Sequence, residues 1–362
     1  MRVWHFLRAF CVSLPVAVAA VGQSASQLPA VPADTYEVVN GPVQVINTPE
    51  SRSTILSLME RARQSAILRT PGSPPFALRI SFRSSGSSSS AGSGEMEETW
   101  ISADRWRWSA RLDDYSLLRI SAEGRLFDEI SPGPVPLRLQ MARAQTYGPI
   151  PAAPRSSIRA ASAIWNGKEV TCVMIGGTIT EPTSAPGRRW TESEYCIDRQ
   201  SGLLVIDSPA PGVYAVYDYN GALKFHAWTL PRQISVVEGN NAVLQIHFES
   251  IQDATDSDPG LFTPTDSMRS QEPGPLLAWG LRFPQYGGPA PASYAGASPQ
   301  VMVNAILDGD GKVLEAEALP NPDPNLSHAA LVLVKQTTYG PAQARGRIQR
   351  EAYIRVYFGP EP

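Results

Sequence analysis

The sequence has few of the residues from which most enzyme and metal sites are built. Of its 362 residues only 3 are cysteine and 4 are histidine. It contains no H-E-x-x-H, C-x-x-C or G-x-S-x-G pattern, and no pair of carboxylates stands out from the general background of Asp and Glu. We therefore expect no enzyme, no cofactor and no metal site. An enzyme whose site is assembled from residues far apart in the chain stays open as an alternative.

An excess of positive charge is also missing. Lys and Arg number 31 against 34 for Asp and Glu, which gives a formal net charge of −3. Binding to phosphate backbones needs a basic surface, so we expect no nucleic-acid partner. The hydrophobic fraction is 43%, with 28 Gly and 33 Pro residues, which is typical of a globular chain rich in turns. The length favours two folded units.

The N-terminus has no apolar run long enough to favour a permanent anchor. Residues 9–21 are mostly apolar but are interrupted by Pro15, whereas a spanning helix needs roughly 20 residues. Arg2 and Arg8 precede the run and small residues follow it, which is the pattern of an export signal. The sequence predicts a signal peptide at residues 1–22, with the point of cleavage left open. It also predicts a periplasmic or secreted location.

Beyond this leader only Cys172 and Cys196 remain. Each lies in a predicted strand, and the turn-rich segment between the two strands is centred close to the midpoint of the two cysteines. Antiparallel pairing then places the cysteines opposite each other, and disulfides persist in exported proteins. We predict a cross-strand disulfide, and two unpaired thiols are the alternative.

The region up to about residue 255 predicts one helix followed by many strands. Thr48-Pro49-Glu50 is a helix start, and apolar residues then recur at helical spacing to about Leu68. From Phe76 the apolar period changes to two, and short strands with turn signals continue to residue 250. A brief helix is predicted near residues 136–144, and Asn220-Gly221 predicts a hairpin turn. A long antiparallel sheet curving around one helix buries both apolar surfaces.

This order of elements resembles the LolA-like lipoprotein-carrier superfamily over residues 36–255. The resemblance is one of pattern, and it rests on one N-terminal helix before successive strands and on the hairpin at Asn220-Gly221. It implies a half-barrel that holds acyl chains or other hydrophobic cargo between sheet and helix. Trp100, Trp106 and Trp108 are candidates to line such a cavity. Packing of the same three side chains in a closed core is the alternative.

After a Pro-rich segment at residues 256–299, predicted to be a linker, residues 300–362 resemble the C-terminal domain of TonB proteins. The pieces that carry the resemblance are a Val-x-Val strand, Asp-Gly-x-Val at 310–313, Leu-x-x-Ala-Ala-Leu at 326–331, an aromatic residue before Pro-Ala, and a last strand that ends at Phe358. The family's basic-aromatic cluster before Pro-Ala is replaced here by Gln336-Thr337-Thr338-Tyr339, which puts contacts made through that cluster in doubt.

The TonB resemblance implies a sheet edge at which an envelope or outer-membrane protein adds a strand. The segment predicted to form that edge is Ala352, Tyr353, Ile354, Arg355, Val356, Tyr357 and Phe358. The fold class is therefore mainly β with α+β character: a curved antiparallel half-barrel around an N-terminal helix, plus a small α+β domain.

Together these features predict a non-catalytic periplasmic or envelope protein with a lipid or lipoprotein ligand and a protein partner. The alternative is a TonB-type energy transducer component that keeps its leader as an anchor.

Overall fold

The structure is a computed structural model, and it describes residues 43–69, 72–85, 91–133, 135–147, 150–151, 157–176, 188, 192–239, 241–271, 277–289, 300–319, 324–340 and 349–358. The predicted signal peptide at residues 1–22 lies outside these ranges. No helix within them is both long and apolar enough to cross a membrane.

In the described part of the chain, fourteen strands form one curved antiparallel sheet that does not close on itself, as predicted. The strands are β1 (Gln44–Val45), β2 (Phe76–Ser84), β3 (Gly92–Ser102), β4 (Arg105–Leu112), β5 (Tyr115–Ala122), β6 (Arg125–Ile130), β7 (Ser157–Trp165), β8 (Lys168–Gly176), β9 (Ser193–Asp198), β10 (Leu204–Ala210), β11 (Val213–Asp218), β14 (Gln233–Glu238), β15 (Asn241–Asp253) and β16 (Arg269–Gln271). Their order in space is β1-β7-β8-β9-β10-β11-β14-β15-β2-β3-β4-β5-β6-β16. Apolar and polar residues alternate along strands such as β2, so one face of the sheet is buried.

Helix α1 (Pro49–Ala66) lies on that buried face, which we call the inner face. The Thr48 hydroxyl accepts a hydrogen bond from the Ser51 N–H at 3.2 Å, so the predicted helix start is confirmed. Of the eighteen residues of α1, only Leu58, Met59 and Ala62 are buried. The helix therefore covers the inner face through a narrow apolar stripe.

Helix α2 (Leu137–Thr146) also covers the inner face, but it is far more enclosed. Seven of its ten residues are buried. Its first N–H, that of Leu137, donates to the Glu315 carboxylate at 3.2 Å, and negative charge at this position suits a helix N-terminus. Because Glu315 belongs to the C-terminal part of the chain, α2 lies between two sheets.

The third cover is a separate hairpin of β12 (Leu223–Phe225) and β13 (Trp228–Leu230). The chain does turn at Asn220-Gly221, where the Ala222 N–H donates to the Tyr219 carbonyl. The strand after this turn leaves the large sheet, however, and β11 pairs with β14 instead. The strands on either side of Asn220-Gly221 therefore do not pair with each other, and the predicted hairpin is wrong. The chain leaves the sheet because Trp228 and Leu230 are buried in the core beside α1.

The predicted disulfide between Cys172 and Cys196 is present. The two residues are direct partners in the β8 and β9 pairing, with a Cα–Cα distance of 3.9 Å. Both side chains are fully buried in a cluster with Trp165, separate from the one beneath the helices. The same two thiols and Glu194 form the one group among the described residues with metal-ligand spacing, and the disulfide removes the cysteines as ligands.

A second sheet of four strands contains the C-terminal residues. It is formed by β17 (Leu277–Gly288), β18 (Gln300–Leu307), β19 (Val313–Ala318) and β20 (Gln349–Phe358), in the order β17-β20-β18-β19. Helix α3 (Pro324–Gln336) packs on one face. Ile306, Leu319 and Tyr353 on the other face join the core of the large sheet.

This topology changes the position predicted for the last strand. Strand β20, which contains residues 352–358, pairs in parallel with β17 on one side and antiparallel with β18 on the other. Its backbone groups are therefore already used, and the segment is an inner strand instead of a free edge. The last strand is not at the edge because β17, which lies in the predicted linker, pairs beside it. The same segment also supplies β16 to the large sheet. The division of the chain into domains stays a prediction.

We predict that C172A/C196A lowers the free energy of unfolding by about 3 kcal/mol, because the disulfide restricts the unfolded chain. Urea unfolding followed by tryptophan fluorescence measures the effect. Wild-type protein in excess reductant should match the double variant. Equal stability of the wild type with and without reductant would contradict the prediction.

Candidate functional site

Four side chains form a line across neighbouring strands of the inner face. Glu98 on β3 is the cross-strand partner of Trp108 on β4, Trp108 is the partner of Arg119 on β5, and Arg119 is the partner of Asp128 on β6. Direct partners in an antiparallel sheet project to the same side, so the four side chains lie next to one another. All four are buried. We call them the inner-face row.

Two members of the row neutralise each other. The Arg119 Nη2 donates to the Asp128 Oδ2 at 3.1 Å. Burial lowers the pKa of Arg119, although the Asp128 carboxylate opposes that shift. Tyr115 lies beside the pair, and burial raises the pKa of its hydroxyl to about 12, which keeps it neutral.

A third charge, Arg69, sits among aromatic rings. It follows α1 and forms an ion pair with Glu98. Its guanidinium carbon is 5.8 Å from the ring centroid of Trp100, 5.1 Å from that of Trp106 and 4.3 Å from that of Tyr147. Burial acts to lower the pKa of Arg69, but the attraction of Glu98 outweighs it and the pKa is raised. Cation–π contacts and one carboxylate therefore hold this cation in place.

Arg143 of α2 has no such carboxylate partner. Its guanidinium carbon lies 4.7 Å from the centroid of the Trp108 ring. Its Nε is shut off from solvent without a hydrogen-bond acceptor, and among the described residues no Asp or Glu forms an ion pair with it. Burial, followed by repulsion from Arg69, lowers the pKa of Arg143 to about 10. The side chain is still protonated at neutral pH.

Buried polar atoms without a hydrogen bond concentrate at this site. Among the described residues the donors are the Nε and Nη2 of Arg69, the Nε of Arg119 and Arg143 and the Nε1 of Trp100 and Trp108, and they outnumber the two Glu98 oxygens in the same condition, although Glu98 forms an ion pair with Arg69. Buried donors are normally paired, so such a concentration on one face is unusual. The site is suited to a group that brings acceptor oxygens.

The other arginine of α2 shows how the fold neutralises a buried cation. Arg138 donates to Glu238 of β14 at 2.8 Å and to Glu317 of β19 at 2.7 Å. All three side chains are buried. Burial acts to lower the pKa of Arg138, but the two carboxylates raise it above its ordinary value. One cation thus joins α2 to both sheets.

A buried carboxyl group lies at the C-terminal end of α2. The Gln145 Nε2 donates to the Asp207 Oδ2 at 2.9 Å, and the Tyr217 hydroxyl donates to the Gln145 Oε1 at 2.6 Å. Burial raises the pKa of Asp207 to about 7, against the opposing effects of Gln145 and of Arg188. Asp207 is therefore a buried carboxyl group that titrates near neutral pH.

The structure brings the three predicted tryptophans together. Trp100 and Trp106 are direct cross-strand partners, and Trp108 follows on the same face of β4. Trp108 is fully buried and Trp100 is 6% exposed, while Trp106 is half-buried. They line the inner face, which is filled by the protein's own side chains. A ligand cavity at this position stays a prediction.

An open cleft of about 740 Å³ lies on a different side of α1. It is lined by Pro49, Arg52, Ser53, Leu56, Ser57, Met59, Glu60, Arg61, Gln64 and Pro151. Most of these positions point away from the buried Leu58 and Ala62, so the cleft does not open onto the tryptophans. Its lining mixes polar and apolar surface, and we assign no role to it.

The sequence did not identify Arg69, Glu98 or Arg143 as site residues. A signal was present for Glu98, whose neighbours two residues away, Met96 and Trp100, are apolar. Arg138 likewise interrupts the apolar pattern of residues 137–141. Charged residues in such positions usually lie on a solvated surface, and only the pairing of the strands shows that these face one another.

No protein-family model matches the sequence, and no curated protein is detectably similar to it. Solved structures with some similarity include a LolA superfamily protein from Nitrosomonas europaea, at 10% identity and a TM-score of 0.35, covering 57% of this chain and 96% of that one. Another is a putative outer membrane lipoprotein-sorting protein domain from Vibrio parahaemolyticus, at 10% identity and a TM-score of 0.34, covering 56% of this chain and 95% of that one. Because these scores are low, we base the proposals below on contacts within this chain.

We predict that R138M lowers the free energy of unfolding by about 3–5 kcal/mol, because it removes the buried cation that pairs with both Glu238 and Glu317. Urea unfolding provides the measurement. R111Q removes an exposed ion pair with Glu95 and should cost less than about 1 kcal/mol. Equal effects of R138M and R111Q would show that the buried triad does not hold the sheets together.

A further prediction concerns pH. In the unfolded chain Asp207 loses its proton near pH 4, whereas in the folded chain it keeps the proton up to about pH 7. The folded state therefore binds more protons in this window, and rising pH favours unfolding by up to about 1.4 kcal/mol per pH unit. Above pH 7 the contribution is constant.

The D207N variant lacks this titration. The difference in free energy of unfolding, D207N minus wild type, should rise from pH 4 to pH 7 and then stay level. Urea unfolding at several pH values measures it. Parallel pH profiles for the two proteins would refute the assignment.

Proposed function

We propose that this chain is a non-catalytic binding protein of the periplasm or envelope. In this proposal it holds the hydrophobic part of a lipid, or of a lipidated partner, between helix α1 and the inner face of the curved sheet. The observation that carries the proposal is that the two helices are attached to that face unequally. Seven residues of α2 are buried, whereas only three residues of α1 are.

The inner face presents a broad apolar and aromatic surface. Its buried members on adjacent strands β2 to β5 are Phe76, Leu78, Ile80, Phe82, Met96, Trp100, Trp108, Ala110, Leu112 and Leu117. Aromatic side chains on such a surface offer large contact areas to an alkyl chain. Beside the charged inner-face row, apolar side chains follow one another from Ile80 through Met96 and Ala110 to Leu117, so an extended chain can lie across several strands.

Helix α1 is the cover that a ligand can replace. Detaching it exposes Leu58, Met59 and Ala62 and uncovers the half-buried Ile55 and Leu56, which costs about 7 kcal/mol of apolar burial. Each buried methylene group of a ligand returns about 0.8 kcal/mol, so roughly nine methylenes offset that cost. An ordinary acyl chain is longer than this. Displacement of α1 by an acyl chain is therefore energetically accessible.

The envelope location rests on two features of the chain. The N-terminal pattern is that of an export signal. The buried Cys172–Cys196 disulfide suits an oxidising compartment. The proposal also includes docking of an envelope protein to the C-terminal sheet. Among the described strands, the free edges of that sheet are β17 and β19, where a partner strand can add.

Quenching of tryptophan fluorescence by a neutral brominated lipid tests the proposal. Dibromostearic acid methyl ester should quench the mature protein saturably, because bromine atoms on the inner face contact Trp106 and its neighbours. The W106F variant should lose part of the quenching amplitude. The W165F variant should keep it, because Trp165 lies in the separate cluster around the disulfide.

Native mass spectrometry of the purified protein is the companion measurement, with a bound lipid as the expected result. Absence of bound lipid together with quenching that does not saturate would overturn the proposal. Equal losses of amplitude in W106F and W165F would place the lipid somewhere other than the inner face.

A further inference from the structure

The inner face carries one more positive charge than it neutralises. Arg69, Arg119 and Arg143 are cations, whereas Glu98 and Asp128 are the carboxylates that face them. Glu98 is committed to Arg69 and Asp128 to Arg119. Arg143 forms no ion pair among the described residues: Glu98 attracts it without pairing with it, Arg69 and Arg119 repel it, and the Trp108 ring lies against it.

Arg143 is half-buried, and holding a cation there without a counter-ion is costly; Arg138 on the same helix avoids that cost. Arg138 lies five residues before Arg143 on the same helix and has two carboxylates within hydrogen-bond distance. The helix therefore places two arginines under the sheets, one fully neutralised and one not. The difference is local to the inner face, where the proposed ligand binds.

Unused donors surround the same point. The Trp108 ring lies against the Arg143 guanidinium, and its Nε1 is buried without an acceptor. The Nε1 of Trp100, on the adjacent strand β3, is also buried without an acceptor. An anion with two or three oxygens can accept from several of these groups at once, and a guanidinium binds such an anion in a bidentate way.

We propose that Arg143, with Trp108, binds the anionic head of an amphiphile, a carboxylate or phosphate monoester attached to an alkyl chain. This inference rests on the proposed function, because the alkyl chain occupies the apolar part of the inner face. The head supplies the missing negative charge, and the chain replaces the contacts of α1. A neutral lipid fills the same apolar surface but leaves Arg143 unneutralised.

The test compares dibromostearic acid with its methyl ester by tryptophan quenching, using the mature full-length protein. The wild type should bind the acid about 10- to 100-fold more tightly than the ester, as expected for charge-assisted hydrogen bonds. R143Q should bring the affinity for the acid down to that for the ester and leave the ester unchanged. R107Q, on the same strand as Trp108 but on the opposite face, should leave both affinities unchanged.

Different results separate the two proposals. If neither compound binds the wild type, the proposed function itself fails. If acid and ester bind equally well and R143Q changes neither, the protein binds lipids but the inference about Arg143 is overturned. If inorganic phosphate alone displaces the acid with equal affinity, the site takes a free anion and the amphiphile is excluded.

Stability of the free protein provides a second readout. R143Q removes an unneutralised charge, so its urea midpoint in the absence of ligand should stay close to that of the wild type, in contrast to R138M. Should R143Q fail to fold, Arg143 has a structural role that contradicts this reasoning. The comparison of acid with ester on the wild type still decides whether the site prefers an anion.

Discussion

Helix α2 imposes the constraint on which the rest of the structure depends. It lies between the large curved sheet and the smaller C-terminal sheet, and most of its side chains are buried. A charge buried on this helix is costly unless it is neutralised inside the protein. Arg138 meets this condition by drawing one carboxylate from each sheet, Glu238 and Glu317, so a single cation fixes the relative position of three elements. The Glu315 carboxylate at the start of α2 adds a further link to the C-terminal sheet.

The main elements could be predicted from the sequence because local signals and long-range packing agree there. The Thr48-Pro49 start of α1 is a cap whose chemistry is contained in four residues. The alternation in β2 reflects one buried and one exposed face. The Cys172–Cys196 pairing followed from a symmetric connection between two strands. In each case the deciding interaction lies within the element or between neighbours in sequence.

The sheet order near the C-terminus could not be obtained in the same way. Strand β17 lies in a segment rich in proline, which normally indicates irregular structure. It is stable as a strand because its partner β20 lies more than sixty residues later in the chain, and that pairing has no local signature. The inner position of β20 follows from β17. The departure of β12 from the large sheet likewise depends on the burial of Trp228 against α1, which no local pattern announces.

The charged part of the candidate site was hidden for a related reason. Glu98, Trp108 and Arg119 are neighbours only because three strands pair in one register, and a shift by one residue would turn each side chain to the opposite face. The tryptophans were identifiable by residue type, since large aromatic side chains suggest burial wherever they lie. Arginine side chains usually lie on the surface, so the sequence does not suggest that these are on the inner face. Their position follows only from the pairing of the strands.

The unequal attachment of the two helices decides which one can move. Releasing α2 would expose seven buried residues and would take the Arg138 cation away from Glu238 and Glu317. Releasing α1 exposes three buried apolar side chains and uncovers the half-buried Ile55 and Leu56, whereas its Glu60–Arg63 pair lies within the helix and near the surface. In the proposed function the covering helix changes position while α2 holds Arg143 above Trp108. The head and the chain of an anionic amphiphile would then be recognised by separate elements.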